Sequence, residues 1–201
     1  MKILAIIPAR KGSKRLKQKN TLNFGNKPLI QITIEFAKKL NNIFDIIVST
    51  NDTKVLNICK KLKVKAPFKR PLNLSNDKAT SVSVCEHAIN FYEKKYSKID
   101  AILLLQPTSP FRFKKSINLS IKIFKKLKIK SLVSVNKIQI NPMTIIERNK
   151  NKNKYLFSKV KNIYEINGNF YLIDKKLFLR KKKFFMDYTY LFETKNFKET
   201  I

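Results

Sequence analysis

Tryptophan is absent from the 201 residues, glycine occurs three times, cysteine twice and histidine once, and acidic residues number only 13. So little glycine leaves no GxGxxG fingerprint, and Gly12-Ser13-Lys14 lacks the Gly-Lys-Ser/Thr ending of a P-loop, so neither a Rossmann dinucleotide site nor a Walker site is supported. Cys59 and Cys85 form no CxxC pair and sit on helix-like apolar faces, which argues for buried thiols and against a disulfide framework or a metal cluster. His87 stands alone, with no Ser or Cys nucleophile constellation around it, so a packed structural role is preferred to that of a general base. Long apolar runs are missing too. Ala101–Leu105 is far short of a membrane span, and Met1-Lys2 leads straight into a strand-like segment instead of a signal peptide, so a cytoplasmic protein without membrane attachment is expected.

Cations, by contrast, are abundant. Lys and Arg total 44, giving a formal net charge of +31 and a pI near 10.2. That bulk figure alone points to a polyanionic partner. The cations are spread over every segment, however, and nearly all are lysine. Arginine, the residue that reads guanine edges, occurs only at positions 10, 15, 70, 112, 148 and 180. Most of the charge therefore reads as solvated surface. Nonspecific adhesion to RNA or DNA at low salt is expected, and specific nucleic-acid recognition is not.

The most informative stretch is Lys2–Asn20. Ile3, Leu4, Ala5, Ile6 and Ile7 form a continuous apolar run suited to a strand buried on both faces of a parallel sheet. Past Pro8 comes a loop with Gly12, Ser13 and the cations Arg10, Lys11, Lys14, Arg15, Lys17 and Lys19. In open parallel sheets ligands bind beyond the carboxyl ends of strands, and a turn of backbone amides flanked by cations suits a triphosphate. An ordinary solvated loop is the competing reading.

The rest of the chain alternates. Leu29, Ile32, Phe36, Ala37 and Leu40 give a helix over 28–40, Phe44–Ser49 a second strand, and Asn51 or Asp52 the cap of a helix carrying Val55, Leu56, Ile58, Cys59 and Leu62. Val64–Phe68 reads as a short strand. Helices follow over 80–95 and 113–127, with strands at Asp100–Leu105, Ser131–Val135 and Phe170–Ile173, and a helix over 174–180. One α/β domain over residues 1–201, built on a mainly parallel sheet, is expected. Between Lys137 and Tyr164 the alternation weakens, and the polar run 149–154 predicts the tip of a hairpin. Arg70 is either an exposed arginine or a fork for a nucleobase or phosphate, and Asp77 a turn or capping residue. Gln106–Arg112, stiffened by Pro107 and Pro110, is either a plain connection or a polar rim for a hydroxyl-rich carboxylated sugar.

Taken together, Ile7-Pro8-Ala9-Arg10, Gly12-Ser13-Lys14-Arg15 and Lys19-Asn20 resemble the opening signature of the acylneuraminate cytidylyltransferases, which include the CMP-sialic, CMP-legionaminic and CMP-pseudaminic acid synthetases. Val48-Ser49-Thr50, Arg70-Pro71 with Leu74, Asp77 and Ser81, Leu105-Gln106-Pro107-Thr108-Ser109-Pro110, Val133-Ser134-Val135 and Asn167-Gly168 fall where that family would place them. The resemblance implies a three-layer, doubly wound, mainly parallel sheet of the nucleotide-diphospho-sugar transferase type. It also implies a small arm at 137–166 that reaches into a second subunit of a homodimer. The implied reaction transfers CMP from CTP to the anomeric hydroxyl of a nine-carbon 2-keto sugar acid, releasing pyrophosphate. The roles implied are Arg10, Lys14 and Lys19 for the triphosphate and leaving group, Ser13, Asn20, Arg70 and Ser81 for the nucleotide, and Gln106, Asn167 and Tyr171 for the sugar. No general base is assigned. Thr144 and Glu165-Ile166 depart from the family pattern, where a lysine and an Arg-Pro are common.

The resemblance further implies Mg²⁺, held in relatives by aspartates that follow a segment like Glu199-Thr200-Ile201. The carboxylates present offer no obvious substitute: Asp45 and Asp100 fall at the wrong strand ends, and Asp52 and Asp174 look like caps. The expectation is a chain cut short before its metal ligands, with weak turnover but retained CTP binding. A polyanion- or nucleotide-binding protein of the same fold without catalysis is the alternative. An enzyme that activates another sugar with another nucleotide is a third reading.

Overall fold

A computed structural model describes residues 1–12, 16, 18–138, 146–149, 152–155 and 162–194, with the two four-residue segments described by backbone alone. Strand β1 (Ile3–Ala9) alternates between two cores: Ile3, Ala5, Ile7 and Ala9 enter one, while Leu4 and Ile6 enter the other. A strand whose two faces are both covered must be apolar throughout, which is why the run shows no polar alternation. A minor hairpin of β2 (Asn23–Phe24) and β3 (Lys27–Pro28), turning at Gly25, leads into α1 (Leu29–Lys38), and β4 (Asp45–Thr50) follows beside β1. Next come α2 (Thr53–Lys61), α3 (Ser81–Lys95), β5 (Ala101–Leu104) and α4 (Lys114–Lys126). The remaining described elements are β6 (Ser131–Ile138), the hairpin β7 (Ile146–Asn149) and β8 (Lys152–Tyr155), β9 (Ile163–Asp174), α5 (Lys175–Lys181) and β10 (Tyr190–Glu193).

Six of the strands form one sheet in the order β10-β6-β9-β5-β1-β4. Helices α1, α2 and α4 cover one face through Ile30, Ile34, Val55, Cys59, Ile121 and Phe124; α3 and α5 cover the other through Cys85, Ile89, Tyr92 and Phe178. This is the expected three-layer, mainly parallel architecture. Caps are where the sequence placed them: Asp52 accepts the Lys54 amide at 2.9 Å and Asp174 the Leu177 amide at 3.0 Å.

Three expectations need correction. Strand β9 is twelve residues long, far more than 170–173, and runs antiparallel to both β5 and β6. Among the described residues no helix lies between β6 and β9, and it takes a crossover connection to make neighbouring strands parallel. Second, Val64–Phe68 is not a strand. It touches the sheet edge only through isolated parallel bridges, Ile47 with Lys65 and Thr50 with Lys69, and Pro67 has no N–H to extend a ladder. Third, β10 pairs parallel with β6 as a four-residue edge strand that the sequence did not announce. The hairpin expected around 149–154 is present: Asn149 pairs with Lys152 and Ile146 with Tyr155.

Candidate active site

The sheet delivers three loops to one end. Beyond β1 lies Arg10. Beyond β4, the Arg70 amide donates to the Thr50 carbonyl at 2.7 Å, and beyond β5 Leu105 continues into Gln106, Pro107 and Thr108. Between them is a cleft of about 200 Å³ lined by Pro8, Arg10, Lys19, Asn20, Arg70, Ala79, Thr80, Ser81, Val84, Gln106, Pro107 and Thr108. Six sequence-derived candidates, Arg10, Lys19, Asn20, Arg70, Ser81 and Gln106, thus share one cavity although almost a hundred positions separate the first from the last. Ser13 and Lys14 lie outside the described residues.

Local geometry fixes the walls. Gly12 takes a φ of +80°, a conformation that costs a non-glycine residue about 1–2 kcal/mol, so the loop turns there as expected. The Lys11 amide donates to Asn51 Oδ1 at 2.7 Å, tying this loop to the end of β4. Asn20 Nδ2 donates to the Arg10 carbonyl at 3.0 Å from a short 3₁₀ turn, Lys19–Thr21, so Asn20 braces the loop that carries Arg10. Arg10 Nη2 reaches Asp77 Oδ1 at 2.5 Å. Asp77 is therefore an ion-pair partner, not a helix cap. Thr80 caps α3 instead, accepting the Ser83 amide at 3.1 Å, and the first turn of that helix, with the positive end of its dipole, lines the cleft.

Arg70 is 4% exposed, so it is not the surface arginine its composition would favour. Its Nη2 donates to the Ser49 carbonyl at 2.5 Å and its Nη1 to the Leu74 carbonyl at 3.3 Å. Burial first, then the nearby Arg10 charge, lowers its pKa to about 10, still above neutrality. The cleft floor therefore carries a fixed positive charge. On the opposite wall Gln106 Nε2 donates to Ser81 Oγ at 3.4 Å.

Asn167 and Tyr171 are not among the residues lining the cleft. The Asn167 carboxamide accepts from Ser134 Oγ at 2.6 Å and donates to Asn136 Oδ1 at 2.7 Å and Thr194 Oγ1 at 2.8 Å, which holds the turn at Gly168. It is Gly168 that approaches Gln106: a Cβ added there would lie 3.7 Å from Gln106 Oε1 and from Ser109 Oγ. Tyr171, on β9, packs its ring 5.4 Å from Phe184, and burial raises its hydroxyl pKa. His87 packs edge-on against Phe68, 4.6 Å between ring centroids, in keeping with a structural role. Sequence reasoning missed Asn51 as the loop tie and Thr80 as the cap, and for Asn51 and Asp77 no local signal distinguishes these roles from capping.

An anion-binding chamber is what these side chains make: three cations, two amides and hydroxyl groups, suited to a nucleotide's phosphates and polar edges. Among the described residues no group of three or more His, Cys, Asp or Glu is placed to hold a metal ion. The carboxylate of Asp77 is engaged by Arg10.

Comparison with known proteins gives the chain its family. Residues 4–200 match the family described as Cytidylyltransferase. The chain is 30% identical over 198 residues to the CMP-N,N'-diacetyllegionaminic acid synthase of Legionella pneumophila, covering 94% of this chain and 85% of that protein. To the pseudaminic acid cytidylyltransferase of Campylobacter jejuni it is 32% identical over 159 residues, 79% of this chain and 68% of the relative. Among solved structures, CMP:2-keto-3-deoxy-manno-octonic acid synthetase complexed with CTP superimposes with a TM-score of 0.70 at 17% identity, covering 96% of this chain and 90% of that one. The 4-diphosphocytidyl-2C-methyl-D-erythritol synthase of Anaerococcus prevotii follows at 0.66 and 15%, covering 98% of this chain and 90% of that one, and these two likenesses show the fold. The chain belongs to the cytidylyltransferase family, an enzyme family of nucleotidyltransferases.

Proposed function

We propose that this chain transfers the CMP unit of CTP to the anomeric hydroxyl of a nonulosonic, sialic-type acid and releases pyrophosphate. The observation that carries the proposal is the convergence of Arg10, Lys19 and Arg70 on one wall system with Ser81 and Gln106, at the carboxyl ends of β1, β4 and β5. The names of the legionaminic and pseudaminic acid relatives support the acceptor class.

In this reading the acceptor hydroxyl attacks the α-phosphorus, and the bond to the pyrophosphate oxygen breaks. Both reactants are anions, so alignment and charge neutralisation carry most of the catalysis. Arg10 and Lys19, with Lys14, stabilise the triphosphate and the departing pyrophosphate. Ser13, Asn20, Arg70 and Ser81 hold the nucleotide, Asn20 through its grip on the Arg10 carbonyl. Gln106 addresses the sugar, Asn167 shapes the turn beside it, and Tyr171 supports that side from β9. Magnesium enters by the family resemblance alone, and the positive charge the described residues bring is that of Arg10, Lys19 and Arg70.

The hairpin β7–β8 forms a separate two-stranded sheet, a unit of marginal stability in water on its own. That supports its use, within the 137–166 segment, as an arm of a homodimer. Among the described residues no helix is long and apolar enough to cross a membrane, and cytoplasmic activation of the sugar fits that observation. The test is pyrophosphate release from CTP with N-acetylneuraminic, diacetyllegionaminic and pseudaminic acids in turn. Release with at least one acid, lost in R10A, upholds the proposal. CTP binding without release for any of them overturns the transferase reading.

A further inference from the structure

Arg112 lies behind the cleft wall, 9% exposed, and no ion pair with a carboxylate joins it among the described residues. Its guanidinium spends two of its arms on backbone carbonyls from different parts of the fold. Nε donates to the Asn169 carbonyl on β9 at 2.7 Å, and Nη2 donates to the carbonyl of Gln106. The third arm, Nη1, is buried without a partner among the described residues. A buried cation without a counter-ion is expensive, and burial pushes this guanidinium down to about 9. An apolar side chain of similar volume would fill the space without that penalty, but it would forfeit both of these hydrogen bonds between the loop and β9.

Those carbonyls border the place where the two halves of the site meet. Gln106 carries its side chain to Ser81, while its own carbonyl also accepts the Ser109 amide at 3.2 Å. Ser109 Oγ in turn donates to the Gly168 carbonyl at 3.3 Å. Asn167 anchors the same turn to β6. We propose that Arg112 is a positioning residue for the acceptor half of the site: it clamps the loop after β5 to the turn at residues 167–169 and so aims the Gln106 carboxamide across the cleft. Its role in acceptor binding rests on the transferase reading above, whereas the clamp itself does not. The charge of Arg112 is fixed behind a wall that both anionic reactants face, which adds attraction without exposing a cation to solvent.

The decisive experiment compares wild type, R112K and R112M by backbone hydrogen exchange, by CTP calorimetry, and by steady-state kinetics with the three sugar acids named above. In R112M, amides of Gln106, Thr108, Ser109 and residues 167–169 should exchange about tenfold faster while those of β1 and α3 hold their rates, as local loss of a hydrogen-bonded clamp requires. Acceptor KM should rise about tenfold with the CTP dissociation constant changed less than about twofold, and R112K should recover part of the loss. Combined with Q106A, R112K should add little further to acceptor KM, because both act through one side chain. Unchanged exchange at both segments in folded R112M overturns the clamp, and R112K supplies the same readout if R112M does not fold. CTP binding weakened as much as acceptor KM overturns the acceptor assignment. Wild type that binds CTP but turns over none of the acids defeats the transferase reading instead, and the exchange result then decides the clamp by itself.

Discussion

Arg10 and Asp77 meet at 2.5 Å, joining the loop after β1 to the segment that leads into α3. Both side chains are about one-third exposed, so the pair is solvent-screened. The carboxylate engages the same guanidinium fork that a phosphate would use. Replacing Arg10 by Ala should weaken CTP binding about tenfold to a hundredfold, the loss of a charge-assisted hydrogen bond. Replacing Asp77 by Asn weakens the ion pair that competes for this fork, and should tighten CTP binding by at most about fivefold, the equivalent of an exposed pair worth about 0.2–1 kcal/mol. Calorimetry at fixed salt checks both signs.

Gly168 holds a φ of +73° beside Gln106 and Ser109. The space around it would accept a methyl group, since both neighbours would lie at ordinary contact distance, so the cost of G168A is conformational, about 1–2 kcal/mol. Thermal unfolding should show a melting temperature lower by about 2–8 °C. Acceptor KM should rise more than CTP affinity falls, because the turn adjoins the Gln106 side of the cleft.

Both thiols are buried, and desolvation lifts them: Cys59 to about 11 and Cys85 to about 12. At mildly alkaline pH neither is a thiolate in the folded protein. A thiol reagent should therefore label neither cysteine until denaturant is added, and then both. Fast labelling of the native protein at either position would contradict this packing.

His87 is kept neutral, chiefly by burial and then by the charge of Arg70. Its folded pKa is lowered, so below about pH 6.5 the unfolded chain takes up the proton first. The stability this histidine contributes is complete above that pH and is lost as pH falls toward the folded pKa. Melting temperature should accordingly drop between about pH 7 and pH 5. In H87Q that slope should be shallower, whatever the absolute stability of the variant.

Much of this fold can be read from the chain because local pattern and burial agree. The apolar run of β1 and the stripes of α1, α2 and α4 leave few alternatives, and the caps at Asp52 and Asp174 mark helix starts by chemistry alone. What escaped is set by long-range pairing. The antiparallel direction of β9 follows from how the chain returns from β6, and the weakened alternation after Lys137 was its only trace. In the site, residues carried on loops directly after strands were legible, because topology places every such loop at the same edge. Partners were not: Asp77 lies 67 positions from Arg10, and Arg112 reaches Asn169 across 57, so each reads as a lone charge in the sequence.

The central claim is that the cleft between Arg10, Arg70 and Gln106 takes a cytidine triphosphate. Its most direct test is calorimetric titration of the protein with CTP, UTP and GTP at about 50 and 200 mM salt, a range over which nonspecific polyanion binding collapses. The account requires saturable CTP binding at both salts, with UTP and GTP about tenfold weaker or more, a difference worth about 1.4 kcal/mol. Equal affinity for all three nucleotides, vanishing together at the higher salt, would contradict it.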